Sequence, residues 1–383
     1  MYTEKKMNNL TKAKQVLLRL LGVVLVASVC ILLSTGMHPP EMLEAESLPH
    51  SIETPTEYEP EVSPEPALPA EPEFFEMSFV GDNTLASTIY NKPLAISYEN
   101  VVGDDFAYPF SLTAHYFRDD DFTFANLECV LTTNTSAGDK NFTFRCDPSY
   151  VNILKEGSVE FVSLGNNHVL DFGEEGYAEM KTILDDAGIA YAGRDEWNIY
   201  ETESGLKIGV YALSFGNVSQ IQAGIAALKE AGAEFIVAAL HWGDEGSYKV
   251  NNLQYTLGRA AIDAGADFVY GSHPHTLQPY EEYNGKFIYY SLGNWSFGGN
   301  TAPRDPDTII LKLTVMRDID GTVSVIDRTH IPCACTGKTG GNDYRPVPYE
   351  PGTPEYDRTL SKIDGSFAGA DLTINYEYNF NEY

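Results

Sequence analysis

The sequence predicts an α/β domain, and three observations carry that prediction. Short apolar runs rich in β-branched and aromatic residues alternate with segments of helical period. Six of those runs lead straight into polar motifs. An apolar share of 43% over 383 residues is enough for one large core with appendages. The runs are FEMSFV into Gly81-Asp82, FTFA into Asn126-Leu127-Glu128, FVSL into Gly165-Asn166-Asn167-His168, FIVAAL into His241-Trp242-Gly243-Asp244-Glu245, DFVYG into Ser272-His273-Pro274-His275, and FIYYSL into Gly293-Asn294. Between them, Tyr177, Met180, Leu184 and Ala187 recur at helical spacing before Gly188, and Leu253, Leu257, Ala261 and Ala264 do so before Gly265. Residues at the carboxyl ends of strands in such a sheet meet at one edge, so the six motifs are expected to converge. IILKLTVM and TVSVI read as a closing pair of strands, and the chain from Pro332 onward reads as loop with a short packing or strand element.

The regions before this domain have a different texture. Lys5, Lys6, Lys12, Lys14 and Arg19 surround or precede an apolar run that reaches from Val16 to Leu33. As a helix it would span roughly 27 Å, enough for an anchor and long for a signal-peptide core. The positive end belongs inside, which places the domain outside the cytoplasm on a single membrane pass; secretion after signal cleavage is the alternative. His38 to Glu73 is Pro- and Glu-rich without apolar periodicity, a disordered and extended linker. The expected organisation is therefore a cytoplasmic tail (1–15), a transmembrane anchor or signal-anchor (16–33), the linker (34–73), the α/β domain (74–332) and a C-terminal extension packed on it (333–383).

A net charge of -30 excludes a nucleic-acid partner, because phosphate-backbone binding needs Lys and Arg to displace counterions. Much of that charge sits in the linker. The five cysteines are too scattered for a disulfide framework or a thiolate zinc site. In a domain outside the cytoplasm, Cys129 and Cys146 are a candidate disulfide, closing a polar loop between two strand-like runs.

Four of the eight histidines, His168, His241, His273 and His275, follow apolar strands and stand with Asp82, Glu128 and Asn167 in the polar motifs. One such histidine alone is usually structural; four together point to a metal centre. In an extended segment His273 and His275 face the same side, and Pro274 biases His273 toward the strand-end conformation. Imidazole, carboxylate and amide donors without thiolate suit a divalent transition metal (Mn, Fe, Zn or Co) better than Ca. Two ions about 3.5 to 4 Å apart would give a hydrolytic layout for phosphoryl chemistry, with a spare histidine to protonate a leaving group. No P-loop, GxGxxG, GxSxG or HExxH motif competes. Trp242 reads equally as a packing residue or a substrate platform.

These motifs, together with Asp171, Gly173, Gln278-Pro279 and Tyr290-Ser291-Leu292-Gly293-Asn294, resemble the CapA family of poly-γ-glutamate capsule synthesis proteins, a branch of the calcineurin-like metallophosphoesterases. The resemblance runs from about Phe74 to Phe297. It implies a four-layer α-β-β-α sandwich of two mixed sheets with a metal site at their edge. It further implies Asp82 and His275 as ligands of a first metal, and Asn167, His241 and His273 as ligands of a second. Glu128 would bridge the two, and His168 would be the catalytic general acid or a phosphate contact. Asp171 and Glu245 would orient imidazoles from behind, and Asn294 would tie down a loop. The chain departs from the general phosphoesterase pattern at Thr84, which stands where a histidine is usual, so the first metal has one protein ligand fewer.

Three functions follow as expectations. The first is an envelope-tethered component of poly-γ-glutamate or related capsule biosynthesis, with capsule-synthesis membrane proteins and an anionic polymer as partners. The second is a general metal-dependent phosphoester hydrolase of the cell envelope. The third is a non-catalytic scaffold or polymer-binding protein, which the missing histidine favours.

Overall fold

The computed structural model describes residues 71–373; the expected tail, membrane span and nearly all of the linker lie outside the described residues, as do the last ten. Among the described residues no helix is long and apolar enough to cross a membrane. In chain order the elements are β1 (Glu73–Thr84), α1 (Tyr98–Val102), β2 (Phe122–Leu127), β3 (Val130–Leu131), β4 (Arg145–Cys146), α2 (Val151–Glu156), β5 (Phe161–Ser163) and α3 (Gly173–Ala187). They continue with β6 (Ala190–Ala192), β7 (Glu196–Glu201), β8 (Lys207–Ser214), α4 (Val218–Glu230), β9 (Phe235–His241), α5 (Asn252–Ala264), β10 (Phe268–Ser272), β11 (Leu277–Tyr283) and β12 (Lys286–Leu292). The last are β13 (Asn294–Phe297), β14 (Asp307–Arg317), β15 (Val323–Ala334), β16 (Val347–Pro348) and α6 (Pro354–Ile363).

Two mixed sheets result. The first runs β16-β15-β14-β1-β2-β5-β6, with β13 joined alongside β1, and the second runs β11-β12-β10-β9-β8-β7. In the first, β1, β2, β5 and β6 are parallel while β14 returns antiparallel on β1. In the second, β8, β9, β10 and β12 are parallel and are flanked by antiparallel β7 and β11.

Alternation along the strands explains the layering. Phe75, Met77 and Phe79 of β1, with Phe122 and Phe124 of β2, share one apolar cluster with Val210, Val237, Phe268 and Tyr270 of the second sheet. The sheets therefore pack through facing aromatics; Phe79 and Phe268 have ring centroids 4.7 Å apart, and Phe124 and Tyr270 meet edge-on at 4.8 Å. The alternate residues are buried too. Ala125, Leu127 and Val162 pack with Met180 and Leu184 of α3, while Tyr211, Ala238, Leu240 and Val269 pack with Ile221 and Ile225 of α4 and Leu257 and Ala261 of α5. Burial on both faces is why these strands read as continuous apolar runs. Both expected helices form where the periodicity places them, and each ends in a left-handed glycine, Gly188 or Gly265.

The C-terminal region differs from a simple appendage. The expected boundary at 333 falls inside β15, which runs on to Ala334 because Cys333 and Ala334 pair with Thr308 and Asp307 on one side and with Pro348 and Val347 on the other. Beyond it α6 is held by charge. The Lys362 ammonium, almost fully buried, lies 2.6 and 2.8 Å from the Asp305 carboxylate and 2.7 Å from that of Asp307. Arg358 grips Asp307 with two hydrogen bonds of 2.7 Å.

Candidate metal centre

The expected ligands and His168 stand at or just beyond the carboxyl ends of strands. Asp82 lies near the end of β1, Glu128 just after β2, Asn167 and His168 after β5, His241 at the end of β9, His273 and His275 after β10, and Asn294 at the start of β13. The parallel strands of both sheets point these ends the same way within each sheet, and the site residues meet. Gly81 makes one crossing possible: the Asp82 amide donates to the Gly293 carbonyl at 2.8 Å, and a Cβ on Gly81 would stand 2.0 Å from that same oxygen.

Three sets of ligand atoms each lie within 4.8 Å of one another: Asp82, Glu128 and His275; Glu128, His241 and His273; Glu245, His273 and His275. The first two coincide with the division into two ligand groups around Glu128 that the resemblance implies. Asn167 joins the second, its Oδ1 lying 2.8 Å from Nε2 of His241. Glu245, expected to orient an imidazole, has a carboxylate oxygen within 4.8 Å of ring nitrogens of both His273 and His275.

The residues around the ligands are spent on holding them. Nδ1 of His168 is 2.8 Å from Oδ2 of Asp171, and Asp171 also takes the Lys140 ammonium at 2.7 Å and the Phe144 amide at 2.9 Å. Nδ1 of His241 is 2.9 Å from Ser272 Oγ. Asn294 does more than tie a loop: its Oδ1 lies 2.9 Å from Nδ1 of His275 and its amide donates to the His275 carbonyl at 3.4 Å. Asn126 donates to Asp82 Oδ1 at 2.8 Å, and Asn166 donates in turn to Asn126 Oδ1 at 3.1 Å. Thr84 gives its hydroxyl to the Glu128 carbonyl at 3.2 Å and adds no imidazole there.

The expected extended geometry at His273-Pro274-His275 is corrected. β10 stops at Ser272, and His273 and His275 take positive φ values of 96° and 56°. The two rings come together through a turn with centroids 5.9 Å apart, not through a pleat. Positive φ in a bulky residue costs on the order of 1–3 kcal/mol, so the surrounding structure holds both histidines there. The Asp82 carboxylate helps by accepting the His273 amide at 3.3 Å.

Electrostatics fit a cation. Both carboxylate oxygens of Glu128 are buried without a hydrogen-bond partner, and so is Nδ1 of His273. Burial pushes the Glu128 carboxyl well above the usual carboxylate range. It also holds His241 well below the ordinary imidazole value and His273 down to about 3. Those two rings are thus neutral, the state a metal ligand needs, and Nδ1 of His273 has its lone pair unengaged. At His275 burial acts in the same direction but is outweighed by the carboxylates of Glu128 and Asp82, which raise it. The set thus joins a buried carboxyl and two neutral imidazoles to a His275 that carries a proton, which a divalent ion would displace on binding.

Other expectations resolve differently. Trp242 is buried and donates to the Tyr290 carbonyl at 2.9 Å, which makes it a packing residue. The β3–β4 pairing brings the expected pair Cys129 and Cys146 together, with sulfurs 2.8 Å apart. Strand pairing aligns them; oxidation is set by the compartment. One residue at the site carries no sequence signal: Phe215, 50% exposed, has its ring 4.8 Å from that of His273, edge-on.

A sequence model of the bacterial capsule synthesis protein family PGA_cap matches residues 76–298. The PGA biosynthesis protein CapA of Bacillus subtilis (strain 168) is 32% identical over 217 residues, covering 49% of this chain and 57% of that protein. The capsule biosynthesis protein CapA of Bacillus anthracis is 28% identical over 266 residues, covering 61% of this chain and 62% of that protein. The chain thus spans about three fifths of the length of the curated relatives it matches. Among solved structures, the Haemophilus influenzae NAD nucleotidase NadN aligns with a TM-score of 0.39 at 12% identity, over 77% of this chain and 56% of that one.

Proposed function

The chain belongs to the bacterial capsule synthesis protein family PGA_cap, and from that premise we propose that it serves poly-γ-glutamate or related capsule biosynthesis through a metal centre on a metallophosphoesterase-like α-β-β-α sandwich. The observation that carries the reading is Glu128. A fully buried carboxylate with no hydrogen-bond partner, ringed by His241, His273, His275 and Asp82, is costly to ionise unless it meets a cation.

Two divalent transition-metal ions are the expected cofactor, one held by Asp82 and His275, the other by Asn167, His241 and His273, with Glu128 between them and Glu245 as a further donor. When bound, such ions neutralise phosphoryl oxygens and acidify water. The chain's own contribution is proton placement: Asp171 fixes the tautomer of His168 through Nδ1 and leaves Nε2 free to serve a leaving group. A second reading, a scaffold or polymer-binding protein without catalysis, draws on Thr84, whose hydroxyl is occupied by a backbone carbonyl where an imidazole ligand is usual.

The proposed setting is the cell membrane, with residues 16–33 as a single-pass anchor, the domain outside the cytoplasm, and capsule-synthesis membrane proteins and an anionic polymer as partners; secretion after signal cleavage is the alternative. The test is gene deletion in the capsulated host. The expected result is a fall in polymer amount, length or attachment that the wild-type gene restores and the Glu128→Gln gene does not. Unchanged polymer would contradict the reading.

A further inference from the structure

A cavity of about 110 Å³ opens beside the metal centre, and its walls are of two kinds. On the side of the site it is lined by His168 and His275, and between them by aromatic rings: Phe144 lies with its ring centroid 4.6 Å from that of His168, and Phe297 4.9 Å from that of His275. On another wall it is lined by Arg304. Arg304 is exposed, and among the described residues its guanidinium has no ion-pair or hydrogen-bond partner.

The lack of a partner at Arg304 has a local cause. The carboxylates nearest in sequence are Asp305 and Asp307. Lys362 takes both oxygens of Asp305, and Lys362 together with Arg358 takes those of Asp307. These contacts occupy the carboxylates next to Arg304 in sequence, and the other carboxylate lining the cavity, Glu245, stands with the imidazoles of His273 and His275. The C-terminal helix that supplies Lys362 and Arg358 therefore has a second effect: it keeps one positive charge available at the cavity.

We propose that Arg304 is the specificity residue for an anionic substituent of the substrate. The reacting group would lie at the metal centre, a short apolar or planar segment would lie against Phe144 and Phe297, and a carboxylate or phosphate would meet the guanidinium. This rests on the proposed reading of the metal centre for the position of the reacting group. A planar guanidinium suits either anion through paired N–H donors. The preferred ligands are thus small compounds with an anionic group at both ends, and singly charged esters are poor ones.

The test uses the full chain, with and without Mn²⁺, and three probes that cannot turn over: benzylphosphonate, 4-carboxybenzylphosphonate and 1,4-xylylenediphosphonate, titrated calorimetrically. Wild-type protein is expected to bind one or both doubly anionic probes about tenfold more tightly than benzylphosphonate. The larger gain identifies carboxylate or phosphate as the anion. In Arg304→Gln the ratio between probes falls to near one, and Arg304→Lys recovers part of it. A wild-type ratio near one, no binding of any probe, or a ratio that survives in Arg304→Gln would overturn the proposal. Loss of metal uptake with the probe ratio retained would instead count against the metal reading and leave the subsite standing.

Discussion

Glu128 concentrates the cost and the purpose of the site in one side chain. Replacing it with Gln removes a buried carboxyl whose ionisation burial disfavours and that nothing hydrogen-bonds, so the metal-free protein is expected to melt a few degrees higher while bound metal falls at least tenfold, as calorimetry and elemental analysis would read. A variant that kept its metal would exclude Glu128 as a ligand. If the site hydrolyses phosphoesters as proposed, His168→Ala should lower metal-loaded hydrolysis of aryl phosphates by about 10²- to 10⁴-fold, and Asp171→Asn by a smaller factor, with metal content retained. The four histidines with Asp82, Glu128 and Asn167 were legible because each sits where an apolar run turns polar. The backbone at His273 was not, since Pro274 argues for an extended residue while the packed turn enforces a φ of 96°. Nor was Phe215, which reaches His273 only through the tertiary fold.

The elements that read most clearly were the strands buried on both faces and the two helices closed by Gly188 and Gly265. Others lacked the usual signal. The apolar residues of α4 are diluted by Ala and Gly, although its Asn217 and Gln220 form a capping box. α6 has few apolar residues, and Lys362 and Arg358 anchor it in place of an apolar stripe. Lys362→Met should leave Asp305 buried without its cation and destabilise the fold by about 3–5 kcal/mol, measured by denaturant unfolding. An effect below about 1 kcal/mol would show that α6 docks by other means. Gly81→Ala places a Cβ against the Gly293 carbonyl, and the expected outcome is a severe loss of folded protein together with loss of metal binding, because Asp82 is the next residue.

At the scale of the whole chain, buried acidic groups shape stability. Burial raises Glu160 to about 7, and Asp120, close by, to about 6. Their folded values exceed the unfolded ones, so their contribution is fully present below about pH 4 and is lost as pH rises through 6 and 7. Glu160→Gln is accordingly expected to melt like wild type near pH 5 and several degrees higher at pH 8; equal melting at both would contradict the assignment. Family membership and the converging strand ends were accessible from motif order alone. The free charge at Arg304 was not, because it depends on which cations Asp305 and Asp307 receive from α6.

Crystals of the full chain soaked in Mn²⁺ and measured for anomalous scattering test the metal centre most directly. The predicted result is anomalous density in contact with Glu128 and shared among Asp82, His241, His273 and His275. Density absent from Glu128 in fully soaked crystals, or found only elsewhere on the protein, would contradict it.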